Sequence, residues 1–170
     1  RQDIAGPRNL SQPCNILTMP STGTYATAFY GCTGLETVAL PDGLTEIAAR
    51  AFSGCSKLAS VRLPSTLTSI GEYAFYDCKA LADVVVPEKI TTLSRSLFAG
   101  CTGLKSVTIP AGVKTIDSGT FNKCSALESI ELPEGLTTLG SQAFMNCSAL
   151  KSVRIPDGVT AIPNETFAYC

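Results

Sequence analysis

The chain is predicted to fold as an α/β solenoid, a pile of similar rungs that each carry short parallel strands and a short helical corner. Three observations predict it. From Cys32 onward the sequence repeats every 23 residues without insertion or deletion. Seven phenylalanines, Phe29, Phe52, Phe75, Phe98, Phe121, Phe144 and Phe167, are each followed three residues later by a cysteine, from Cys32 to Cys170. Apolar residues alternate with polar ones over short stretches that end in proline.

Six full units follow one another, the second reading "CSKLASVRLPSTLTSIGEYAFYD". Within it, Val61 and Leu63 flank an outward Arg62, the alternation of a short strand. Proline then removes an N–H where pairing between rungs must stop, at Pro41, Pro64, Pro87, Pro110, Pro133 and Pro156. "LPDG" and "LPEG" suit a type I turn with proline second and glycine fourth. "LTSI" returns on a second extended segment, and "EYAFYDC" leaves room for one or two helical turns. No single rung buries enough apolar surface to offset its own ordering entropy, so stability must come from stacking like on like. Phenylalanine and cysteine recur because each lands on its equivalent in the next layer. Upstream, residues 1–13 form an irregular segment and 14–31 a shortened first repeat, ahead of six repeats over 32–170.

This unit resembles the BspA-like, Treponema-type leucine-rich repeat, L-x-x-[VI]-x-[IL]-P-x-x-[VL]-x-x-I-x-x-x-A-F-x-x-C. The resemblance runs from roughly residue 17 to residue 170. It implies a leucine-rich-repeat right-handed solenoid, an arc with short parallel strands on the inner face and helical corners outside. It also implies a secreted or cell-surface protein engaged in adhesion, with a protein or glycan on a host or neighbouring cell as partner. Leu97, Thr120 and Thr166 replace alanine before phenylalanine, and Pro163 replaces a small residue after Ile162, which puts the local corner geometry in question.

Composition narrows the chemistry. Net charge is -1, from 13 basic and 14 acidic residues spread without runs, which argues against nucleic acid and anionic membranes as partners. No apolar run approaches the roughly 18 residues of a membrane span. Starting at Arg1 without methionine or a secretory leader, and stopping at Cys170 on the first residue of a further unit, the sequence reads as a trimmed fragment or mature product. An open last strand would then permit self-association.

Histidine is absent, which removes the usual general base and metal ligand. With no C-x-x-C pair either, zinc has no tetrahedron to occupy, and neither a metal nor a cofactor is expected. Stacked strands lie about 4.8 Å apart, within disulfide reach, yet burial in one column favours free thiols. Cys14, off register and near Cys32, is the candidate for a disulfide capping the amino-terminal end. Buried thiols without an imidazole make poor nucleophiles, and no catalytic residue is assigned.

Binding is the remaining class. One outward column reads Ala39, Arg62, Val85, Thr108, Glu131, Arg154 and another Glu36, Ala59, Ala82, Lys105, Glu128, Lys151. In the second half charges alternate, with Glu128 between Lys105 and Lys151 and Glu131 beside Arg154, a ladder that neutralises itself. The first half presents Ala39, Ala59, Ala82 and Val85 beside Arg62, with Thr108 at its edge, as candidate partner contacts. Tyr73 and Tyr76, in a corner, are a second candidate.

Overall fold

The structure, a computed structural model, describes residues 28–170. The expectations for residues 1–13, for most of 14–31 and for Cys14 lie outside the described residues. Every strand pairing joins positions one repeat apart. On one side of the stack run β1 (Thr37–Val38), β3 (Ser60–Val61), β5 (Asp83–Val85) and β7 (Ser106–Thr108), pairing in parallel as β1–β3 and β5–β7. A parallel bridge from Ser129 to Ser152 continues the series. On a second side run β2 (Glu46–Ile47), β4 (Ser69–Ile70), β6 (Thr92–Leu93), β8 (Thr115–Ile116) and β9 (Thr138–Leu139). These pair in parallel as β2–β4 and β6–β8–β9.

The strands form for the reason the alternation gives. Val61, Val84 and Val107 point into the core while the residues beside them face outward. Before Pro87 the last N–H, that of Val86, donates to the Thr108 carbonyl at 3.0 Å, and proline then ends the ladder. The turn that follows sits one residue later than expected. Leu44 N–H donates to Pro41 O at 3.0 Å and Leu67 N–H to Pro64 O at 3.1 Å, so proline is the first turn residue. The residue closing each bond is the next core residue, and burying it sets the turn.

Between the second and third rungs neither sheet is paired, because β3 does not join β5 and β4 does not join β6. Ser94 Oγ spans part of that seam by donating to Ile70 O at 2.5 Å. The corner remains continuous across it, with Tyr73, Phe75 and Asp77 N–H donating to Arg95, Leu97 and Ala99 carbonyls.

Those corners are not helical. Among the described residues there is no helix, and each corner is instead a chain of tight turns. Two positions per rung take left-handed backbone. One is held by Arg50, Tyr73, Ser96, Gly119, Gln142 and Glu165. The other, just before each cysteine, is held by Gly31, Gly54, Asp77, Gly100, Lys123, Asn146 and Tyr169. Two left-handed residues four positions apart in each corner interrupt any α-helix there. The freed N–H groups alternate: Ser53 and Cys55 close four-residue turns on Arg50 and Phe52, while Phe52 and Gly54 reach up to Ala74 and Tyr76. Corner and strands alike therefore bond rung to rung.

Inside, the seven phenylalanine rings form one continuous stack with centroids 5.1 to 5.8 Å apart and planes within 14° of parallel. Each thiol from Cys55 to Cys170 donates to the carbonyl of a phenylalanine one rung below, at 3.1 to 3.2 Å. Cysteine is thus suited to this column by being small, apolar and a weak donor. Thr120 and Thr166, in place of alanine, satisfy their hydroxyls on the Asp117 and Pro163 carbonyls at 2.7 Å.

Candidate binding surface

The side of the stack that carries β1, β3, β5 and β7 positions most of the sequence-derived candidates. Ala39, Ala59, Arg62, Val85 and Thr108 are exposed there, and Ala82 is half-buried. Val85 projects from the third position of β5 with 67% of its surface exposed. Its pairing partner Thr108 lies in β7. Since β5 and β7 are the three-residue strands, this is also the most extended part of that face.

The charges of the second half arrange themselves differently from the expected ladder. Lys151 Nζ pairs with Glu128 at 3.0 Å, as alternation predicts. Arg154, however, pairs with Glu134 rather than Glu131. Lys105 makes no ion pair among the described residues. Glu134 lies in the turn after Pro133, and the long arginine side chain spans from its strand position to that turn. Both pairs are exposed and contribute little to stability. On β5, Asp83 accepts a hydrogen bond from Ser106 Oγ at 2.5 Å.

Tyr73 and Tyr76 lie away from these strands, at the corner of the second rung, with ring centroids 5.9 Å apart and planes at 59°. A residue that sequence reasoning passed over joins them: Arg50 Cζ sits 4.4 Å from the Tyr73 centroid. Its only signal was register, since Arg50 and Tyr73 are separated by one repeat. Elsewhere, the sixth rung leaves a hollow of about 340 Å³ lined by Leu150, Val153, Ile155, Ile162 and Phe167.

The thiols from Cys55 to Cys147 are buried and hold their protons. Burial pushes Cys55 and Cys147 up to about 12, against the partial opposition of a backbone hydrogen bond. Cys78, Cys101 and Cys124 are likewise raised well above the usual thiol range, chiefly by the same desolvation. Cys55 through Cys170 are free thiols, whereas the Cys32 sulfur is held in a disulfide. Among the described residues no three His, Cys, Asp or Glu side chains gather to hold a metal ion. No helix among them is long and apolar enough to cross a membrane.

This architecture can be set beside known proteins. The BspA type leucine rich repeat region matches residues 15–124 and 51–170, in six copies. A leucine-rich repeat protein from Bacteroides ovatus is similar in structure at a TM-score of 0.73 and 35% identity, over 75% of this chain and 33% of that one. A leucine rich cell surface protein from Faecalibacterium prausnitzii gives 0.65 and 33%, over 75% of this chain and 35% of that one. The T. pallidum leucine rich repeat protein gives 0.69 and 32%, over 79% and 77%. This chain thus spans about a third of the length of the first two structures. No curated protein matches it.

Proposed function

Because the chain belongs to the BspA-type leucine-rich repeat family, whose repeats typically serve as noncatalytic binding modules, we propose that it is the binding and adhesion module of a secreted or cell-surface protein. Its partner is a protein or glycan, engaged through the face of β1, β3, β5 and β7. The cell-surface relative in Faecalibacterium prausnitzii supports that location.

The carrying observation is the exposed Val85, in a strand whose neighbours Ala39, Ala59 and Ala82 are small and whose nearby cation, Arg62, has no ion-pair partner among the described residues. An apolar centre with an unengaged cation is the composition of a contact patch rather than of a solvated face. Farther along the stack Lys151 is paired with Glu128 and Arg154 with Glu134. The double variant Arg62→Glu with Val85→Glu tests the site in a screen against matrix proteins and glycans. A partner of the parent chain should be lost by the variant at unchanged melting temperature. Retained affinity would move the site off this face.

A second reading, a spacer or self-associating array with no ligand on this segment, draws on the sixth rung. Its apolar upper surface, with Ile162 57% exposed, is shaped to receive another rung of the same pattern. Sedimentation that shifts with concentration, and is restored to a single slow species by Ile162→Asp, would favour this reading.

A further inference from the structure

Arg50 and Tyr73 stand one above the other in left-handed backbone, at φ 61 and 57. For side chains of this size that region is strained. The equivalent place in the fourth rung is held by Gly119, which adopts the same conformation at φ 67 without penalty.

Those side chains form a small preassembled unit. The Arg50 guanidinium lies over the Tyr73 ring at 4.4 Å, and Tyr76 meets the same ring at 5.9 Å. Tyr76 is 37% exposed, and Tyr30, at the same repeat position two rungs earlier, is 51% exposed. Between them in that column Ser53 is buried. Both ion pairs of the described residues lie in the last rungs, and Arg50 takes part in neither them nor any side-chain hydrogen bond. Its flat face is therefore spent on Tyr73, while among the described residues nothing takes its in-plane N–H donors. That edge geometry matches a carboxylate held by two parallel bonds.

The remaining groups narrow what bears the carboxylate. Tyr76 offers part of an aromatic face, on which a C–H surface packs by dispersion and by attraction to the ring's negative face. Glu72 and Asp77 flank the tyrosines, and among the described residues neither carboxylate takes part in an ion pair or side-chain hydrogen bond. Two unengaged acceptors in the corner that carries the tyrosines suit a ligand rich in hydroxyl donors. They repel a peptide carrying several acidic residues. We propose that the corner of Arg50, Tyr73 and Tyr76 binds a carboxylated pyranose, with the carboxylate on Arg50, the ring against Tyr76 and hydroxyls donating to Asp77. Sialic acids and uronic acids share that chemistry.

The test titrates the whole chain by calorimetry and ligand-observed NMR with sialyllactose, a glucuronate-containing oligosaccharide, lactose and a glutamate-rich peptide. One carboxylated sugar should bind with a Kd at or below about 1 mM, and lactose about tenfold more weakly or not at all. Which of the two acidic sugars binds identifies the source. Arg50→Gln and Tyr76→Ser should each weaken that sugar about tenfold or more. Arg50→Gly should do the same while raising the melting temperature, because the left-handed strain is gone. Replacing Arg62 and Val85 should leave sugar binding intact, which separates this site from the strand face. The proposal is overturned if neither acidic sugar binds at about 5 mM, if lactose binds equally, or if the Arg50 and Tyr76 variants bind as the parent does. Tighter binding of the peptide with the same residue dependence would also overturn it.

Discussion

Leu127 and Leu150 hold the same place in consecutive rungs, yet one is fully buried and the other half-buried. The contrast runs through the whole layer. Ile130, Leu136, Leu139 and Phe144 are sealed, whereas Val153, Val159 and Phe167 are half-buried and Ile162 is exposed. Their residue types scarcely differ, so the difference lies in what covers them. Burial in this fold belongs to a pair of rungs rather than to a residue, as expected when stability is a sum of nearest-neighbour terms.

The hardest test of that contrast removes one ring from the phenylalanine stack. Phe98→Ala, with a ring on each side, should cost about 3–5 kcal/mol in urea denaturation. Phe167→Ala, stacked on Phe144 alone among the described residues, should cost about half as much. Equal losses would mean that rungs do not share their cores.

Rung spacing gives the next test. A Cβ at Gly140 would stand 2.2 Å from Ser118 N and 2.5 Å from Asp117 C, both backbone of the rung below. Nothing lies within 4 Å of the same atom at Gly43. Gly140→Ala should therefore lose about 2–4 kcal/mol of stability, while Gly43→Ala stays within about 0.5 kcal/mol of the parent. Thermal melting of the two variants side by side decides it.

The thiols carry the contrast into pH dependence. Cys147 is pushed up to about 12 by burial, then by the neighbouring Cys170, with a backbone bond opposing. A thiol that ionises near 9 when unfolded but holds its proton when folded contributes stability that is whole below that pH. This contribution is lost as pH rises toward 12. Stability should fall from about pH 9 upward, and Cys147→Ala should flatten the fall by up to about 1.4 kcal/mol per pH unit. Cys170, exposed, is also raised by desolvation, and Cys170→Ala should flatten it less. Urea midpoints at successive pH values would show the ordering, and identical slopes would sink it.

Smallest is the effect at the left-handed corner. Lys123, at φ 64, should gain about 1 kcal/mol on replacement by glycine. Asn146→Gly, at φ 61, should gain only a few tenths, since asparagine tolerates this region. Equal gains in melting experiments would show that the strain is not a side-chain effect.

The corner is also where reading the sequence fell short. The column Gly31, Gly54, Asp77, Gly100, Lys123, Asn146 contains residues that favour left-handed backbone, and that signal was present. The column of Arg50, Tyr73, Ser96 and Gln142 contains almost none, and left-handed backbone there is imposed by rung-to-rung bonds. Arg50 escaped notice for the same reason, because its value comes from a tyrosine one repeat away. By contrast Val85, Arg62 and Thr108 were legible, since alternation along one strand fixes which residues face out.

From its own residues alone, this chain fixes its period, its columns of phenylalanine, cysteine and leucine, and the strand faces, because side-chain transfer from water is encoded position by position. The tertiary structure alone decides that the corners are turns, that each turn begins on proline, that Arg154 chooses Glu134, and that Arg50 lies over Tyr73. Those outcomes depend on which partner the neighbouring rung brings within a few ångströms, and a linear pattern does not carry that information.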